Sequence, residues 1–489
     1  MRRVRKGRVR RARVQVGAPD ESLTRFSGLI AVTELVERLD VIGRLDAAIG
    51  SLKQRRRGHT AGEVLVGIAA AQLAGEDFLV GLDRQRADCV GQELAPVPGL
   101  AATTAAGLAN RFSEGQWAAA ETGLGDVAAA ALAALPAERA AVLCQDVTID
   151  LDTTDVEVYG RRKRGVAFNH QGQRVGRPHV ATWADTATVL AADLLAGNED
   201  PRRDAPALLR RALAALPAAA RGGRIRMRAD AGYFAGQLAR AALFADIEFA
   251  IGARRIAPLW RILDGISETD WTDAIDMPGA QVAVADYCPN WWPASTRLLI
   301  RRVRLDVSAE PGTGQVSADP RARRRRTLHP DQRALPLDEL AELDAVYGYS
   351  FIVTNLDVTT GDRAATVEHW YRHRTQVENV FRDAKHGAAL RHLPSGYPQV
   401  NRAWMWGALL AASLTGWLHQ LTAATAPDGT LLGHGVRDGQ AMIATLRHRL
   451  IRVPARLVRH AGTLTLRQPP GHHLLAEVLT RIRELPATS

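Results

Sequence analysis

The feature that most constrains the fold is a change of pattern near Ala141, where helix-like periodicity gives way to strand-like alternation. In the segment AVLCQDVTIDLDTTDVEVYG, apolar Val147, Ile149 and Leu151 alternate with polar residues, which predicts a strand with one buried face. Four more strands and two helices are predicted downstream: strands at 179–184 and 188–195, a helix at 205–215, a strand in GRIRMRAD, a second helix, and a strand in IEFAIGA. The predicted order is β-β-β-α-β-α-β.

That order is typical of a ribonuclease-H-like core, in which helices flank a mixed sheet, so we predict an α/β fold. The rest of the chain is predicted to surround this core with helical regions and one β-rich, Trp-containing insertion. The predicted segments are a basic flexible arm at 1–22, an all-α domain at 23–138, the core at 139–257 and 341–400, the insertion at 258–340, and a helical region at 401–489.

Composition limits the partners and the compartment. The chain of 489 residues has 63 Lys and Arg against 52 Asp and Glu, a net charge of +11, so it should attract polyanions; charge alone leaves nucleic acid and acidic membranes open. Its 3 cysteines form no C-x-x-C pair, and no apolar stretch follows the arginine-rich N-terminus, so a cytoplasmic protein is expected. The longest apolar run, 403–418, is shorter than the roughly 20 residues of a membrane helix and is predicted to be a buried core helix.

Several basic or aromatic features allow two interpretations. The basic residues of 1–14 and of 323–326 form either solvated segments or phosphate contacts. The segment 103–112 is either a bundle helix or a helix that presents Thr103, Thr104 and Arg111 to a DNA duplex. The tryptophans of the insertion either pack in its core or stack on a flipped base.

Acidic residues lie on two of the predicted core strands. Asp150 and Asp152 share the polar face of the first strand, and Asp230 ends the strand in GRIRMRAD, where α/β folds place their sites. An exposed strand face and a helix-capping aspartate are the alternatives. We choose Asp152 over Asp150 and Asp155 because of its strand face and the D-x-T pattern around it.

A third block, HWYRHRTQVENVFRDAKHG, has a helical pattern. Tyr371, Arg374, Glu378 and Lys385 occur at i, i+3, i+7 and i+14, which predicts that they share one face of one helix. An apolar stripe beside that face predicts that Glu378 lies at the margin of the buried side and faces the sheet. The stripe consists of Trp370, Val377, Phe381 and Ala384.

This block resembles the tyrosine-arginine-glutamate-lysine signature of bacterial insertion-sequence DDE transposases. The blocks DLDTTDVEVYG and RADAGYF are similar to the two aspartate blocks of one branch, insertion-sequence family thirteen-eighty, in DDE domain group 1. The three blocks follow the family's order, and a more diffuse likeness extends over most of the chain.

The resemblance implies a set of site residues. Asp152, Asp230 and Glu378 would be the catalytic residues and the ligands of two Mg²⁺ ions, with Mn²⁺ able to substitute. Tyr371, Arg374 and Lys385 would bind DNA phosphates, a role that suits their donor groups. Arg228, two residues before Asp230 on the same strand face, is predicted to assist in DNA binding.

The function expected from the resemblance is cut-and-paste transposition. The protein would bind the transposon's inverted repeats through its N-terminal helical domain, pair the ends as a homodimer on double-stranded DNA, cleave them, and join 3′-hydroxyls to target DNA. It would act in the bacterial cytoplasm, at the nucleoid when bound to DNA, with no membrane partner. The alternatives are a ribonuclease-H-like DNA nuclease without joining activity and a catalytically inactive, sequence-specific DNA-binding protein.

Overall fold

The computed structural model describes residues 15–54, 57–305, 327–334, 346–425, 431–432 and 442–486. The predicted basic arm up to residue 14 and the arginine run at 323–326 lie outside the described residues.

The N-terminal part of the chain is helical, as its apolar periodicity predicts. Capping boxes begin its longer helices: Thr60 pairs with Glu63, and Ser113 pairs with Gln116. Its helices are α1 (Leu29–Arg38), α2 (Val41–Ile49), α3 (Ala61–Leu73), α4 (Val80–Arg86), α5 (Cys89–Leu94), α6 (Ala102–Ala109), α7 (Glu114–Ala133) and α8 (Ala137–Gln145), preceded by the short strand β1 (Leu23–Thr24).

Helix α6 contains most of the segment for which a duplex-binding helix was one interpretation. Thr103 and Thr104 are exposed on it, and Arg111 is exposed just beyond its end, while Leu108 and Ala109 are buried. The exposed side chains leave both interpretations of this helix in place.

The central sheet begins with five strands in the spatial order β6-β5-β2-β7-β8. Strands β2, β7 and β8 are parallel neighbours, and β5 pairs with β2 in the antiparallel sense. Helices α9 (Pro201–Ala215), α10 (Ala218–Arg221) and α11 (Gly236–Phe244) connect them. The strands are β2 (Asp146–Thr153), β3 (Val156–Glu157), β4 (Ala167–Phe168), β5 (Arg174–Trp183), β6 (Thr188–Ala196), β7 (Arg224–Ala229) and β8 (Glu248–Ala253). This mixed sheet with helical connections fits the predicted ribonuclease-H-like core.

The insertion extends this sheet. After helix α12 (Ala257–Leu263), β9 (Thr272–Asp273), β10 (Ala280–Asp286) and β11 (Arg297–Leu305) pair in series. Strand β12 (Val346–Thr354) joins β11 to β8, so the insertion strands continue the core sheet. A short helix, α13 (Pro330–Ala334), precedes β12.

The insertion tryptophans are mostly packed. Trp260 and Trp292 are 9% and 4% exposed, whereas Trp291 is 43% exposed. Trp271 lies under the guanidinium of Arg302 at 4.2 Å. Packing therefore explains Trp260 and Trp292, and the stacking interpretation remains open for Trp291.

The predicted core helix at 403–418 lies within α16 (Pro398–Thr422), which follows α14 (Gly361–Arg372) and α15 (Thr375–Arg382). Almost every residue of α16 is buried, because the helix packs on both α3 and β6. Close contact requires small residues: a Cβ on Gly416 would lie 2.3 Å from the backbone oxygen of Thr186. Of the helices in the described ranges, none has the length and apolar character needed to cross a bilayer.

The predicted helical region at 401–489 contains strands as well as helices in its described part. A short strand pair, β13 (Ala424–Thr425) with β14 (Leu431–Leu432), is followed by helix α17 (Ile443–Leu446). Strands β15 (Ala455–His460) and β16 (Thr463–Arg467) then form a hairpin, and helix α18 (Leu474–Glu484) follows it. The hairpin turn at Ala461 and Gly462 has φ of 47° and 76°, as in a type I′ turn. Strand β15 also pairs with β1, so the two ends of the described chain share a small sheet.

Candidate active site

Two of the predicted site residues lie side by side at the ends of parallel strands. Asp152 is near the end of β2, and Asp230 directly follows β7. The register pairs Asp150 with Arg228 and Leu151 with Ala229, so Asp152 and Asp230 are the next neighbours on one sheet face. Adjacent strands are about 4.8 Å apart, which brings these two carboxylates together.

Arg374 connects this pair to the third predicted residue. Its guanidinium lies 3.2 Å from an Asp152 oxygen and 3.7 Å from a Glu378 oxygen. Asp152 and Arg374 are 13% and 16% exposed, whereas the Glu378 side chain is 61% exposed. The prediction that Glu378 faces the sheet is therefore wrong for this structure: its side chain lies largely in solvent, next to Arg374.

The signature block does not form one helix. Helix α14 ends at Arg372, α15 begins at Thr375, and a π-helical turn runs over Asp383–Gly387. The break at His373 and Arg374 turns the Arg374 side chain toward Asp152. Four residues that one straight helix would align on one face therefore lie on three helical segments and in the break between the first two.

The electrostatic environment of the site favours an added positive charge. Burial raises the pKa of Asp152 to about 7; Arg374 lowers this pKa, and nearby Asp230 raises it. Burial by itself would lower the pKa of Arg374, but Asp152, Tyr371 and Asp230 more than offset this effect and raise it. Asp152 and Asp230 raise the pKa of the Arg374 guanidinium between them, so this pair of carboxylates forms a site suited to a cation.

The chemistry of these donors fits a hard divalent ion. Carboxylate oxygens are the ligands that Mg²⁺ prefers, and Asp152 and Asp230 supply them from one sheet edge. Within the described ranges, no three His, Cys, Asp or Glu side chains are grouped closely enough to hold a metal ion. The Glu378 side chain, which is 61% exposed, lies 3.7 Å from Arg374.

The structure contradicts the prediction that Arg228 contacts DNA. Arg228 is 2% exposed and binds the carboxylate of Asp150, which is 0% exposed, through bonds of 2.7 and 2.9 Å. It also donates to the backbone oxygen of Trp370 at 2.6 Å. These buried contacts join β2, β7 and α14 one layer below Asp152. The Arg228 guanidinium is therefore bound by protein groups and is not accessible to DNA.

Tyr371 also makes an internal contact. Its hydroxyl donates to the backbone oxygen of Ala229 at 3.1 Å, directly before Asp230. Burial raises the pKa of Tyr371 to about 12, which keeps the hydroxyl protonated. A Cβ on Gly252 would lie 2.6 Å from that hydroxyl, so only glycine leaves room for Tyr371 in this position.

Lys385 lies on the other side of the site. Its ammonium donates to the backbone oxygen of Asp155 at 2.7 Å, and burial lowers its pKa. The Asp155 carboxylate accepts from Arg177 at 2.7 Å and from Asn169 at 2.8 Å. Asp155 therefore anchors the chain just after Asp152. This structural role distinguishes it from Asp152, which contacts Arg374.

Sequence reasoning missed two supporting groups. Trp370 donates to the hydroxyl of Thr148 at 3.2 Å, and its ring lies beneath the guanidiniums of Arg226 and Arg228. Tyr233, which is 1% exposed, packs its ring against that of His179, with centroids 5.6 Å apart and the planes tilted by 30°. The aromatic residue three positions after Asp230 was a visible signal, but its ring partner follows only from strand register.

The chain is similar to known proteins in two comparisons. A cryo-EM structure of a piggyBac transposase synaptic complex with hairpin DNA is similar to this chain with 10% identity and a TM-score of 0.38, over 86% of this chain and 79% of that one. A comparison with curated protein sequences found no match. The sequence profile of the family described as transposase DDE domain group 1 matches residues 6–315 and 339–487. Because this match covers most of the chain, the protein belongs to the DDE transposases of domain group 1.

Proposed function

We propose that this DDE transposase carries out cut-and-paste transposition with Asp152, Asp230 and Glu378 as its catalytic carboxylates. It would cleave the ends of its transposon and join their 3′-hydroxyls to target DNA. The observation that carries this proposal is the adjacency of Asp152 and Asp230 at the ends of β2 and β7, with Arg374 between them and Glu378.

The three carboxylates would hold divalent ions, with Mg²⁺ preferred and Mn²⁺ able to substitute. Such ions supply activation of the attacking oxygen and stabilisation of the leaving oxygen in phosphodiester chemistry. The protein's own part is positioning. The buried Asp150–Arg228 pair fixes the register of β2 against β7, and Tyr371 fixes the backbone before Asp230.

Arg374 has a donor that suits the scissile phosphate. Its guanidinium is planar and permanently charged, and such groups bind phosphate oxygens through paired hydrogen bonds. In the structure this charge is held by Asp152 at 3.2 Å. If Asp152, Asp230 and Glu378 held divalent ions, the Arg374 guanidinium would be available to bind the DNA backbone.

We further propose that the N-terminal helices bind the inverted repeats and that two copies pair the ends on DNA. The net charge of +11 favours association with a polyanion. The similarity of the three sequence blocks to insertion-sequence family thirteen-eighty supports a bacterial element as the source. Joining two ends in one reaction requires two active sites, which is the reason for proposing a homodimer.

The proposal can be tested with purified protein, labelled transposon-end DNA, a target plasmid and Mg²⁺. We expect strand-transfer products from the unaltered chain, and their loss in D152N, D230N and E378Q. Matched controls are D246N and E477Q, since Asp246 and Glu477 are exposed and form no ion pair among the described residues. Asp246 has φ of 54°, a conformation that asparagine tolerates.

The products separate the proposal from its alternatives. Cut ends without joined product would indicate a nuclease, and a mobility shift without cleavage would indicate a DNA-binding protein. Equal activity of E378Q and E477Q would show that Glu378 is not a catalytic residue.

A further inference from the structure

We propose that the loop between β3 and β4, together with the aromatic residues at its base, is a DNA-binding site beside the catalytic carboxylates. This site, here called the Arg161 loop, comprises residues 158–168. Its arginines would bind phosphates, and its aromatic rings would stack on an unpaired or distorted base. The inference rests on the proposed function, since it names a further contact to the same DNA.

The first evidence is unpaired positive charge. The loop carries the sequence ArgArgLysArg at 161–164, and Arg161, Arg162 and Arg164 are exposed. None of these three forms an ion pair within the part of the chain that the structure describes, whereas nearby Arg177 pairs with Asp155 at 2.7 Å. Three neighbouring positive charges repel one another. Binding of a polyanion relieves this repulsion and is therefore favourable.

The second evidence is that the loop is held in place. Arg174 donates to the backbone oxygens of Gly160 and Lys163 at 2.7 and 2.6 Å. Lys163 turns inward and donates to the backbone oxygen of Leu393, and the Arg164 amide donates to that of Gly396 at 3.2 Å. A fixed backbone presents the exposed arginines in one arrangement, which lowers the entropic cost of binding.

The third evidence is a pair of exposed aromatic rings. Tyr159 and Phe168 are 85% and 66% exposed, which is unusual for large apolar side chains at the edge of a sheet. With Arg161 and Arg174 they line an open groove of about 460 Å³. Aromatic rings beside arginines are the combination that binds unstacked bases, because the ring takes the base and the guanidinium takes the phosphate.

The loop is close to the candidate catalytic residues in the chain. Tyr159 is seven residues beyond Asp152, so the chain between them spans about 25 Å at most, equal to about seven nucleotides along one strand. Asp155 lies between the two and accepts from Lys385 through its backbone oxygen. The loop therefore lies no farther than about seven nucleotides from a scissile phosphate bound at Asp152.

The test compares R161A/R162A and Y159A/F168A with the charge-matched control R203A/R210A. Arg203 and Arg210 are exposed on α9 and likewise form no ion pair among the described residues. Binding is measured by fluorescence anisotropy over a range of salt concentrations. The probes are a labelled, fully paired duplex and the same duplex with a short unpaired tract.

We expect R161A/R162A to lower the salt dependence of binding by about two units in the slope of log K against log salt, since each phosphate contact contributes about 0.9. The control should keep the slope of the unaltered chain. Y159A/F168A should lose about tenfold in affinity for the unpaired tract and little for the paired duplex.

Equal salt slopes for R161A/R162A and R203A/R210A would overturn the inference. It would also be overturned if R161A/R162A altered only the self-association of the protein, measured by sedimentation. Circular dichroism and melting temperature establish that each variant is folded. If the unaltered chain cleaves end DNA but the loop variants bind normally, the inference fails and the proposed function stands. If the unaltered chain binds neither duplex, both fail.

Discussion

The buried pair of Asp150 and Arg228 gives the most quantitative prediction. Their side chains are 0% and 2% exposed and share two hydrogen bonds of 2.7 and 2.9 Å. Removing one partner of such a pair leaves an unpaired buried charge, at a cost of about 3–5 kcal/mol. R228M and D150L should therefore each lower the free energy of unfolding by about this amount.

The double variant D150L/R228M should behave differently. With both charges replaced by apolar groups of similar size, no buried charge is left unpaired, and such replacements are often neutral or stabilising. We expect D150L/R228M to lose much less stability than the sum of its single variants, with an interaction energy of at least about 2 kcal/mol. The remaining loss reflects the bond from Arg228 to the Trp370 backbone.

Urea unfolding followed by tryptophan fluorescence measures these free energies, with the slope of the transition checked for constancy. Single variants that cost less than about 1 kcal/mol, or costs that simply add, would refute the reasoning that this pair is a buried structural link. Anisotropy at several salt concentrations supplies a second test. If Arg228 bound phosphate, R228M would lower the salt slope by about one unit, and we expect no change.

Three further predictions concern packing around the site. Burial lowers the pKa of His179 from 6.5 to about 4, so the buried neutral ring contributes fully to stability above pH 6.5. Up to about 3 kcal/mol of this stability is lost as pH falls toward 4, because the unfolded chain takes up the proton first. In urea unfolding, the stability of H179F should therefore depend less on pH between 6.5 and 4. G252A should displace Tyr371 and lower both the melting temperature and strand transfer, and unchanged values would contradict the 2.6 Å contact. By urea unfolding, W292A should cost about 3–5 kcal/mol and W291A much less, because Trp292 is 4% exposed and Trp291 43%; equal costs would contradict this packing.

The strand part of the site could be predicted from sequence because its signal is local. Val147, Ile149 and Leu151 mark the apolar face of β2, so the opposite face, which carries Asp150 and Asp152, follows from the two-residue period. The position of Asp230 after an alternating segment likewise marks the end of a strand. Both predictions required only the pattern within one element, and the structure places the two residues on neighbouring strands.

The signature block could not be predicted in the same way because tertiary contacts determine its shape. Arg374 leaves the helical path to reach Asp152, and Asp383 accepts a hydrogen bond from the Ile443 amide at the π-helical turn. The pairing of Arg228 with Asp150 depends on register between strands 78 residues apart in sequence. The C-terminal hairpin was missed because its turn, Ala461 and Gly462, lacks the usual asparagine or aspartate before glycine.

The central claim is that three carboxylates distant in sequence form one cation site, and direct binding of Mn²⁺ measures it. Electron paramagnetic resonance of the folded protein titrated with Mn²⁺ should show bound ion for the unaltered chain and for D246N. The spectrum should show greatly weakened binding for D152N, D230N and E378Q. Mn²⁺ binding by all three variants with the affinity of the unaltered chain would contradict the account.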